Sequence, residues 1–245
     1  MISVRQLTKT LGPQQILRGV DLEIETGRTC VILGRSGCGK SVLLKHLIGL
    51  FQPTSGEVWV EGEEITRLPE RKLGGIRKKI GMLFQSGALF DSMNVEQNLA
   101  FPLREAGVKS EDEIRERVAE ALEMVDLVGE QKKMPEKLSG GMRKRGGLAR
   151  TIVGRPACIL YDEPTTGLDP IATDSINHMI RRLQKRLSVT SVVVTHDMKT
   201  AFHTADRVAF MHEGRIHFHG TVDEVRASTD PILTDFIHGR SGDSD

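Results

Sequence analysis

The sequence lacks an excess of charge of either sign. Lys and Arg number 34 against 33 Asp and Glu, which leaves a formal net charge of +1 over 245 residues. A protein that binds nucleic acid through the phosphate backbone needs a strongly basic surface. The composition therefore argues against a nucleic-acid partner, and we predict none.

Cysteine is also scarce, and long apolar runs are missing. The three cysteines, Cys30, Cys38 and Cys158, are odd in number and lack metal-ligand spacing, which favours a reduced, cytoplasmic chain over a disulfide framework. No apolar run approaches the length of a bilayer span, and the N-terminal residues have no signal-peptide pattern. We therefore expect any membrane role to be carried out through a partner.

Short apolar runs alternate with longer helical patterns, which is typical of an α/β fold. The nearly continuous apolar runs at 29–34, 157–162 and 190–197 predict strands that are buried on both faces. Residues 2–9, 19–25 and 55–62 instead alternate with a period of two. They predict an N-terminal antiparallel β layer beside the main sheet.

The segment between Gln85 and Pro156 has helical rather than strand patterns. Ser110 and Glu113 have the spacing of a capping box, and apolar residues then recur every three or four positions. We predict one domain over 1–240, with a core formed by 1–85 and 157–240 and an inserted helical subdomain over 86–156. Only the polar tail at 241–245 is predicted to be disordered.

Residues 34–41 read GRSGCGKS and lie between the first apolar run and a helical pattern. They match G-x-x-x-x-G-K-S, in which glycines turn backbone N–H groups toward phosphates at a helix N-terminus. We predict that Lys40 binds the β- and γ-phosphates and that the Ser41 hydroxyl binds Mg²⁺. This loop alone fits kinases, GTPases, helicases and transporters alike. The predicted nucleotide contacts are Gly34, Arg35, Ser36, Gly37, Cys38, Gly39, Lys40, Ser41 and Val42.

Two adjacent acids follow the apolar run that begins at residue 157. Adjacent carboxylates at a strand end can divide the work of phosphoryl chemistry, so we predict that Asp162 holds Mg²⁺ and that Glu163 polarises the attacking water. Two acids on a surface turn are usually only solvated. The four apolar residues before Asp162 argue against that alternative.

The segment LSGGM at 138–142 offers a hydroxyl and backbone donors at the start of a helical pattern. With this segment, the sequence resembles an ABC-type ATPase from about residue 3 to about residue 238. The resemblance implies a P-loop NTPase core with a mixed, mainly parallel sheet, which hydrolyses ATP with the help of Mg²⁺. The motifs that carry it are Gly34–Ser41, Gln85, Leu138–Met142, Asp162–Glu163, Leu168–Asp169 and His196.

The resemblance further implies a head-to-tail homodimer, in which Ser139, Gly140 and Gly141 of one chain close over the ATP held by the other. It also assigns Asp169 to the nucleotide, Gln85 to Mg²⁺ and the γ-phosphate, and His196 to the γ-phosphate and the water. The implied catalytic residues are Glu163, His196, Lys40 and Gln85, and the implied metal ligands are Ser41, Gln85 and Asp162.

Residues 82–105 and the segment LSGGMRKR at 138–145 are similar to the ATPase subunits of Mla-type phospholipid transporters. That likeness implies lipid transport between the inner and outer membranes, a permease, an MCE-type lipid-binding protein, and a place on the cytoplasmic face of the inner membrane. Leu89, Phe90 and Met93 then form a groove for a permease helix, or they only pack the helical subdomain onto the core. Two further functions stay open: the ATPase of a small-solute importer, such as one for amino acids, and a soluble ABC-type scaffold.

Two features depart from the expected pattern, and a third, the basic run at 143–145, has two interpretations. Leu11 stands where many family members carry an aromatic residue that stacks on adenine, so the base preference is left open. Gly146 and Gly147 lie within the signature helix, the predicted helix that starts at the LSGGM segment. Each glycine costs up to about 1 kcal/mol of helix stability relative to alanine. The basic run at 143–145 could meet anionic lipid, but we predict a solvated helix face, which is the usual place of such a run.

Overall fold

The structure of the protein is a computed structural model, and it describes residues 1–240. The tail at 241–245, predicted to be disordered, lies outside the described residues. The strands are β1 Ile2–Leu11, β2 Gln14–Ile24, β3 Thr29–Leu33, β4 Ser55–Val60, β5 Glu63–Glu64, β6 Ile80–Leu83, β7 Cys158–Asp162, β8 Thr190–Thr195, β9 Arg207–His212 and β10 Arg215–Gly220. The helices are α1 Lys40–Leu47, α2 Glu70–Lys79, α3 Val95–Glu105, α4 Glu111–Met124, α5 Gly140–Ile152, α6 Pro170–Leu187, α7 Met198–Thr204, α8 Val222–Arg226 and α9 Pro231–Ile237.

The chain divides into two compact units. The first comprises Met1–Ile76 together with the chain from Thr190 onward, and the second is Arg77–Val189. The predicted division into a core over 1–85 and 157–240 and a helical subdomain over 86–156 has other boundaries and stays a prediction.

The first unit contains the antiparallel β layer. Its strand order is β2-β1-β4-β5, and β1 pairs with β2 from Ile2 opposite Ile24 to Leu11 opposite Gln14. Alternate side chains are buried at Ile2 and Val4 of β1 and at Val20, Leu22 and Ile24 of β2, because successive residues of a strand point to opposite faces. The period-two pattern of the sequence thus gave the correct element type.

The first unit also contains parallel strands around β3. β8 pairs with β3 on one side and β9 on the other, and β10 runs antiparallel to β9. Leu33, the last residue of β3, is opposite Thr195 and Phe210, so the carboxyl ends of the three parallel strands lie at one edge. All five residues of β3 are buried, as expected for a strand covered on both faces.

The second unit combines two parallel strands with four helices. β6 and β7 pair in parallel, with Leu83 opposite Tyr161. Side chains cap all four of these helices: Asn94 caps α3, Ser110 caps α4, Ser139 caps α5 and Asp169 caps α6. These strands and helices confirm the predicted α/β fold with a mixed sheet, an antiparallel layer and a helical part. Among the helices within residues 1–240, none has the length and apolarity required to cross a membrane.

Candidate active site

The glycine loop joins β3 to α1 in the first unit. Gly37 has a φ of 81° and Gly39, at the N-cap of α1, has a φ of 109°, a region that favours glycine. Within residues 1–240 no side chain caps the start of α1, and the N–H groups at a helix start attract anions. The loop therefore has the backbone of an anion-binding site, as its sequence predicts.

Gly34, the first residue of the loop, is required by the close approach of the β9 backbone at Met211. A Cβ at this position would lie 2.4 Å from the Met211 carbonyl oxygen and 2.8 Å from the Cys38 sulfur. Such distances are far inside van der Waals contact, so any larger residue would displace the loop.

Lys40 is folded back over the glycine loop. Its ammonium group donates to the carbonyl oxygens of Gly34 at 2.8 Å and Arg35 at 3.0 Å, and the residue is only 5% exposed. These bonds hold a positive charge at the mouth of the loop. A phosphate that enters the loop would meet this charge together with the helix N-terminus.

A cavity of about 570 Å³ lies beside the loop, within the first unit. Its lining contains no aromatic side chain, and Leu11 is not part of it, although Leu11 is 42% exposed. The cavity is large enough for the base and ribose of a nucleotide. The lining residues are Pro13, Gln14, Gln15, Ile16, Arg18, Gly37, Cys38, Glu213 and Gly214.

His196 follows β8 directly, and its side chain is exposed. Because Thr195 pairs with Leu33, His196 and Gly34 leave the parallel strands at the same edge. The next residue, Asp197, caps α7 by accepting from the backbone N–H groups of Lys199 and Thr200. The first unit thus brings the loop residues Gly34–Val42 and His196 to one edge.

Asp162 and Glu163 lie at the end of β7 in the second unit. Asp162 is buried, with 9% of its surface exposed. Glu163 has a backbone φ of 48°, which is uncommon for a residue other than glycine. The Thr166 hydroxyl donates to the Glu163 carboxylate at 3.1 Å. Backbone strain of this kind is concentrated at functional positions, which fits the predicted role of Glu163.

The signature segment forms the start of α5. The Ser139 side chain accepts from the Met142 N–H at 3.3 Å, and Ser139 and Gly140 are exposed. Asp169 is also exposed, and its carboxylate accepts from the Ile171 and Ala172 N–H groups at 2.9 Å. Both motifs are therefore capped helix starts that lie at the surface of the second unit.

Lys144 is a residue that the sequence reasoning missed. The predicted solvated face is wrong for this side chain, which is 6% exposed and donates to the carbonyl oxygens of Gln85 and, at 3.4 Å, Glu163. Burial lowers the pKa of Lys144, and the carboxylates of Glu163 and Asp162 oppose that shift. A signal was available, because Lys144 is four residues before the buried Leu148 on the same helix.

Gly146 and Gly147 allow α5 to approach the segment that follows Gln85. A Cβ on Gly147 would lie 2.3 Å from the Gly87 carbonyl oxygen, and one on Gly146 would lie 3.1 Å from the Leu89 side chain. The helix-propensity cost of this glycine pair is thus offset by close backbone packing. Gln85 itself is exposed and follows β6.

Comparisons with known proteins agree with this geometry. The sequence matches the family model described as "ABC transporter" at residues 17–166. It is 42% identical to the "Probable ribonucleotide transport ATP-binding protein mkl" of Mycobacterium leprae, over 98% of this chain and 69% of that protein. It is also 42% identical to the "Methionine import ATP-binding protein MetN" of Carboxydothermus hydrogenoformans, over 97% of this chain and 72% of that protein.

A further relative and a solved structure resemble the chain over most of both lengths. The "Intermembrane phospholipid transport system ATP-binding protein MlaF" of Haemophilus influenzae is 40% identical, over 98% of this chain and 91% of that protein. The solved "Dimeric structure of a post-hydrolysis state of the ATP-binding cassette MJ0796 bound to ADP and Pi" aligns with a TM-score of 0.83 and 32% identity. That alignment covers 91% of this chain and 99% of the other.

Proposed function

The chain belongs to the ABC transporter family as an ATPase subunit, and from that premise we propose that it powers phospholipid transport between two membranes through a permease. The observation that carries the lipid substrate is the similarity to MlaF, at 40% identity over nearly the whole of both chains. The likeness of residues 82–105 and 138–145 to Mla-type subunits supports the same substrate.

The glycine loop binds the phosphates of ATP. Its backbone N–H groups and the start of α1 donate to the phosphate oxygens, and Lys40 exchanges its bonds to Gly34 and Arg35 for bonds to phosphate oxygens. The cavity beside Gly37 and Cys38 receives the base and ribose.

The residues assigned to Mg²⁺ have suitable donor chemistry. The Ser41 hydroxyl, the Gln85 amide oxygen and the Asp162 carboxylate are hard oxygen donors, which is the ligand type that Mg²⁺ prefers. When bound, the ion neutralises charge on the phosphates. The position of Asp162 at the end of a buried strand keeps its carboxylate in one place.

Glu163 and His196 act on the water that attacks the γ-phosphate. Glu163 accepts a proton from the water as a general base, and Thr166 fixes its carboxylate by donating to Oε2. His196 orders the water and contacts the γ-phosphate.

The start of α5 binds the ATP that is held by a second copy of the chain. Ser139, Gly140 and Gly141 are at the surface of their own unit, where they are accessible to another molecule. Two helix N-termini and one lysine offset a triphosphate charge better than one helix can. Asp169, at the exposed start of α6, contributes to nucleotide binding.

The permease docks on the segment after Gln85. Phe90 is 39% exposed, packs edge-on against Phe101 at 5.2 Å, and lies under the Arg150 guanidinium at 4.2 Å. The buried Asn98 fixes this segment, because its side chain bonds the Phe90 backbone on both its N–H and C=O groups and also donates to the Met93 carbonyl oxygen. A rigid segment with an exposed aromatic ring suits a short partner helix.

Docking predicts a specific mutant effect. Phe90→Asp places a charge on the docking segment and should abolish co-purification of the permease, while ATP binding by the isolated subunit stays within about twofold. The matched control is Val128→Asp, which changes another exposed apolar residue of the same unit, 67% exposed. Equal loss of the permease from both variants would contradict the assignment of the surface.

The substrate is tested on the intact membrane complex. We expect the complex purified in mild detergent to retain a permease, an MCE-type lipid-binding protein and phospholipid that mass spectrometry identifies. Its place would be the cytoplasmic face of the inner membrane, where ATP is available. Recovery with a small-solute permease and no lipid would favour an importer, as the names of the mkl and MetN relatives suggest. Recovery without any membrane partner would favour a scaffold.

A further inference from the structure

Lys144 connects three motifs within the second unit. Lys144 belongs to α5 and is buried. Its ammonium group donates to two backbone carbonyl oxygens that lie outside α5. One carbonyl is that of Gln85 after β6, and the other is that of Glu163 after β7. These contacts bridge 59 and 19 positions of the sequence.

A second contact ties the same helix to the Gln85 segment. The 2.3 Å that would separate a Cβ on Gly147 from the Gly87 carbonyl oxygen means that the two backbones already touch. Gly87 N–H in turn donates to the Phe84 carbonyl oxygen at 2.9 Å, which closes a turn around Gln85. The turn is thus held to α5 at two points, Lys144 and Gly147.

The contacts of Lys144 and Gly147 with the Gln85 turn have a consequence for the dimer. This consequence rests on the function proposed above. Gln85 and Glu163 act on the ATP held by their own chain, whereas Ser139 at the start of α5 acts on the ATP of the partner chain. We propose that Lys144 is a positioning residue that couples the two ATP sites, because it holds both sets of groups to one rigid helix.

A lysine is suited to this position for a chemical reason. Its ammonium group has three donors and no acceptor, so it satisfies two carbonyl oxygens at once. Removing it takes this donor from both oxygens, and Glu163 also loses support for its left-handed backbone conformation. An apolar side chain of similar length fills the space and provides none of these bonds.

The test compares Lys144→Met, Lys144→Arg and Arg143→Met. Arg143 is the matched control, because it is a long cation on the same helix whose guanidinium donates to Leu138 O, and its side chain is exposed. For each variant, ATP hydrolysis is measured against ATP concentration, ATP affinity is measured on the isolated subunit, and amide hydrogen exchange of residues 84–87 is measured without nucleotide.

For Lys144→Met we expect ATP affinity within about twofold of the wild type, kcat lowered about tenfold or more, and the Hill coefficient lowered from about 2 toward 1. Exchange at 84–87 should become faster even in the absence of ATP. Lys144→Arg should keep the Hill coefficient and most of kcat, and Arg143→Met should behave like the wild type.

Two results would overturn the inference. One is a Lys144→Met variant with an unchanged Hill coefficient and unchanged exchange at 84–87. The other is a Lys144→Arg variant that folds normally and is as impaired as Lys144→Met. Dimer formation by the wild type with ATP is measured before any variant is made. If the wild type forms no ATP-dependent dimer, that result contradicts the proposed function itself.

Discussion

Two helices of the protein begin at glycine-rich motifs, and they begin in different ways. α1 starts at Gly39, in a left-handed conformation and without a side-chain cap among residues 1–240, and its first residue, Lys40, is buried. α5 starts at Ser139, whose side chain caps the helix, and Ser139 and Gly140 are exposed. In the function we propose, the first start encloses a ligand of its own chain. The second start contributes to a site that another copy of the chain completes.

The largest effect is expected when Lys40, at the start of α1, is replaced. Lys40→Ala removes the charge that offsets the triphosphate, so we expect loss of ATP binding and at least a hundredfold loss of hydrolysis, about 3 kcal/mol of transition-state stabilisation. Lys45→Ala on the same helix is the control, because its ammonium faces the Phe51 ring at 5.2 Å instead of the loop. Steady-state hydrolysis and equilibrium binding of ATP distinguish the two variants. Unchanged turnover in Lys40→Ala would contradict the role of the loop.

The second helix start predicts a different phenotype. Ser139→Arg puts bulk and charge on the exposed start of α5, so we expect hydrolysis to fall about a hundredfold while one chain still binds ATP within about twofold. Ser110→Arg is the control, because Ser110 caps α4 through a bond of the same length, 3.3 Å. Both changes remove a cap worth about 1 kcal/mol, but only Ser139→Arg should stop turnover. Loss of activity in both variants would mean that capping alone matters.

The cysteines sharpen the contrast between the loop and the core. Cys38 is half-buried in the glycine loop, whereas Cys30 and Cys158 are buried in strands, and burial raises the pKa of the Cys30 thiol to about 12. Cys30 therefore stays protonated and unreactive at every pH well below 12. We expect a thiol reagent to label Cys38 alone in the native protein, to block ATP binding, and to be excluded by bound ATP. Mass spectrometry locates the label, and full activity after complete modification of Cys38 would contradict this prediction.

The smallest effect concerns two glycine pairs in helices. Gly147→Ala drives a methyl group into the Gly87 carbonyl and should lower the free energy of unfolding by about 2 kcal/mol. Gly75→Ala in α2 meets no atom within 4 Å and should raise that free energy by about 0.5–1 kcal/mol. Thermal or denaturant unfolding of the two variants gives the sign of each change. If Gly147→Ala left the free energy of unfolding unchanged or raised it, that result would contradict the close contact between α5 and the Gln85 segment.

Local patterns predicted much of this fold. The buried runs gave β3, β7 and β8 within one or two residues, because strands buried on both faces leave short-range signals. The glycine loop was also recognisable, since its function depends on consecutive residues.

The contacts of Lys144 could not be read in the same way. A basic run looks solvated in sequence, and the bond from Lys144 to Gln85 depends on how β6 and α5 approach each other in space. Gly147 was noticed only as a propensity cost, because its neighbour Gly87 lies 60 positions earlier in the chain. Residues that join motifs are thus less visible than residues that make them up.

The central claim is that two copies of the chain hold ATP between the start of α1 in one and the start of α5 in the other. Glu163→Gln tests it most directly, because this change keeps ATP binding and removes the general base, so the closed state should accumulate. Analytical ultracentrifugation with saturating Mg-ATP should show a dimer for Glu163→Gln and a monomer when Ser139→Arg is added to the same chain. A Glu163→Gln chain that binds ATP and stays monomeric, or a dimer that is indifferent to Ser139→Arg, would contradict the account.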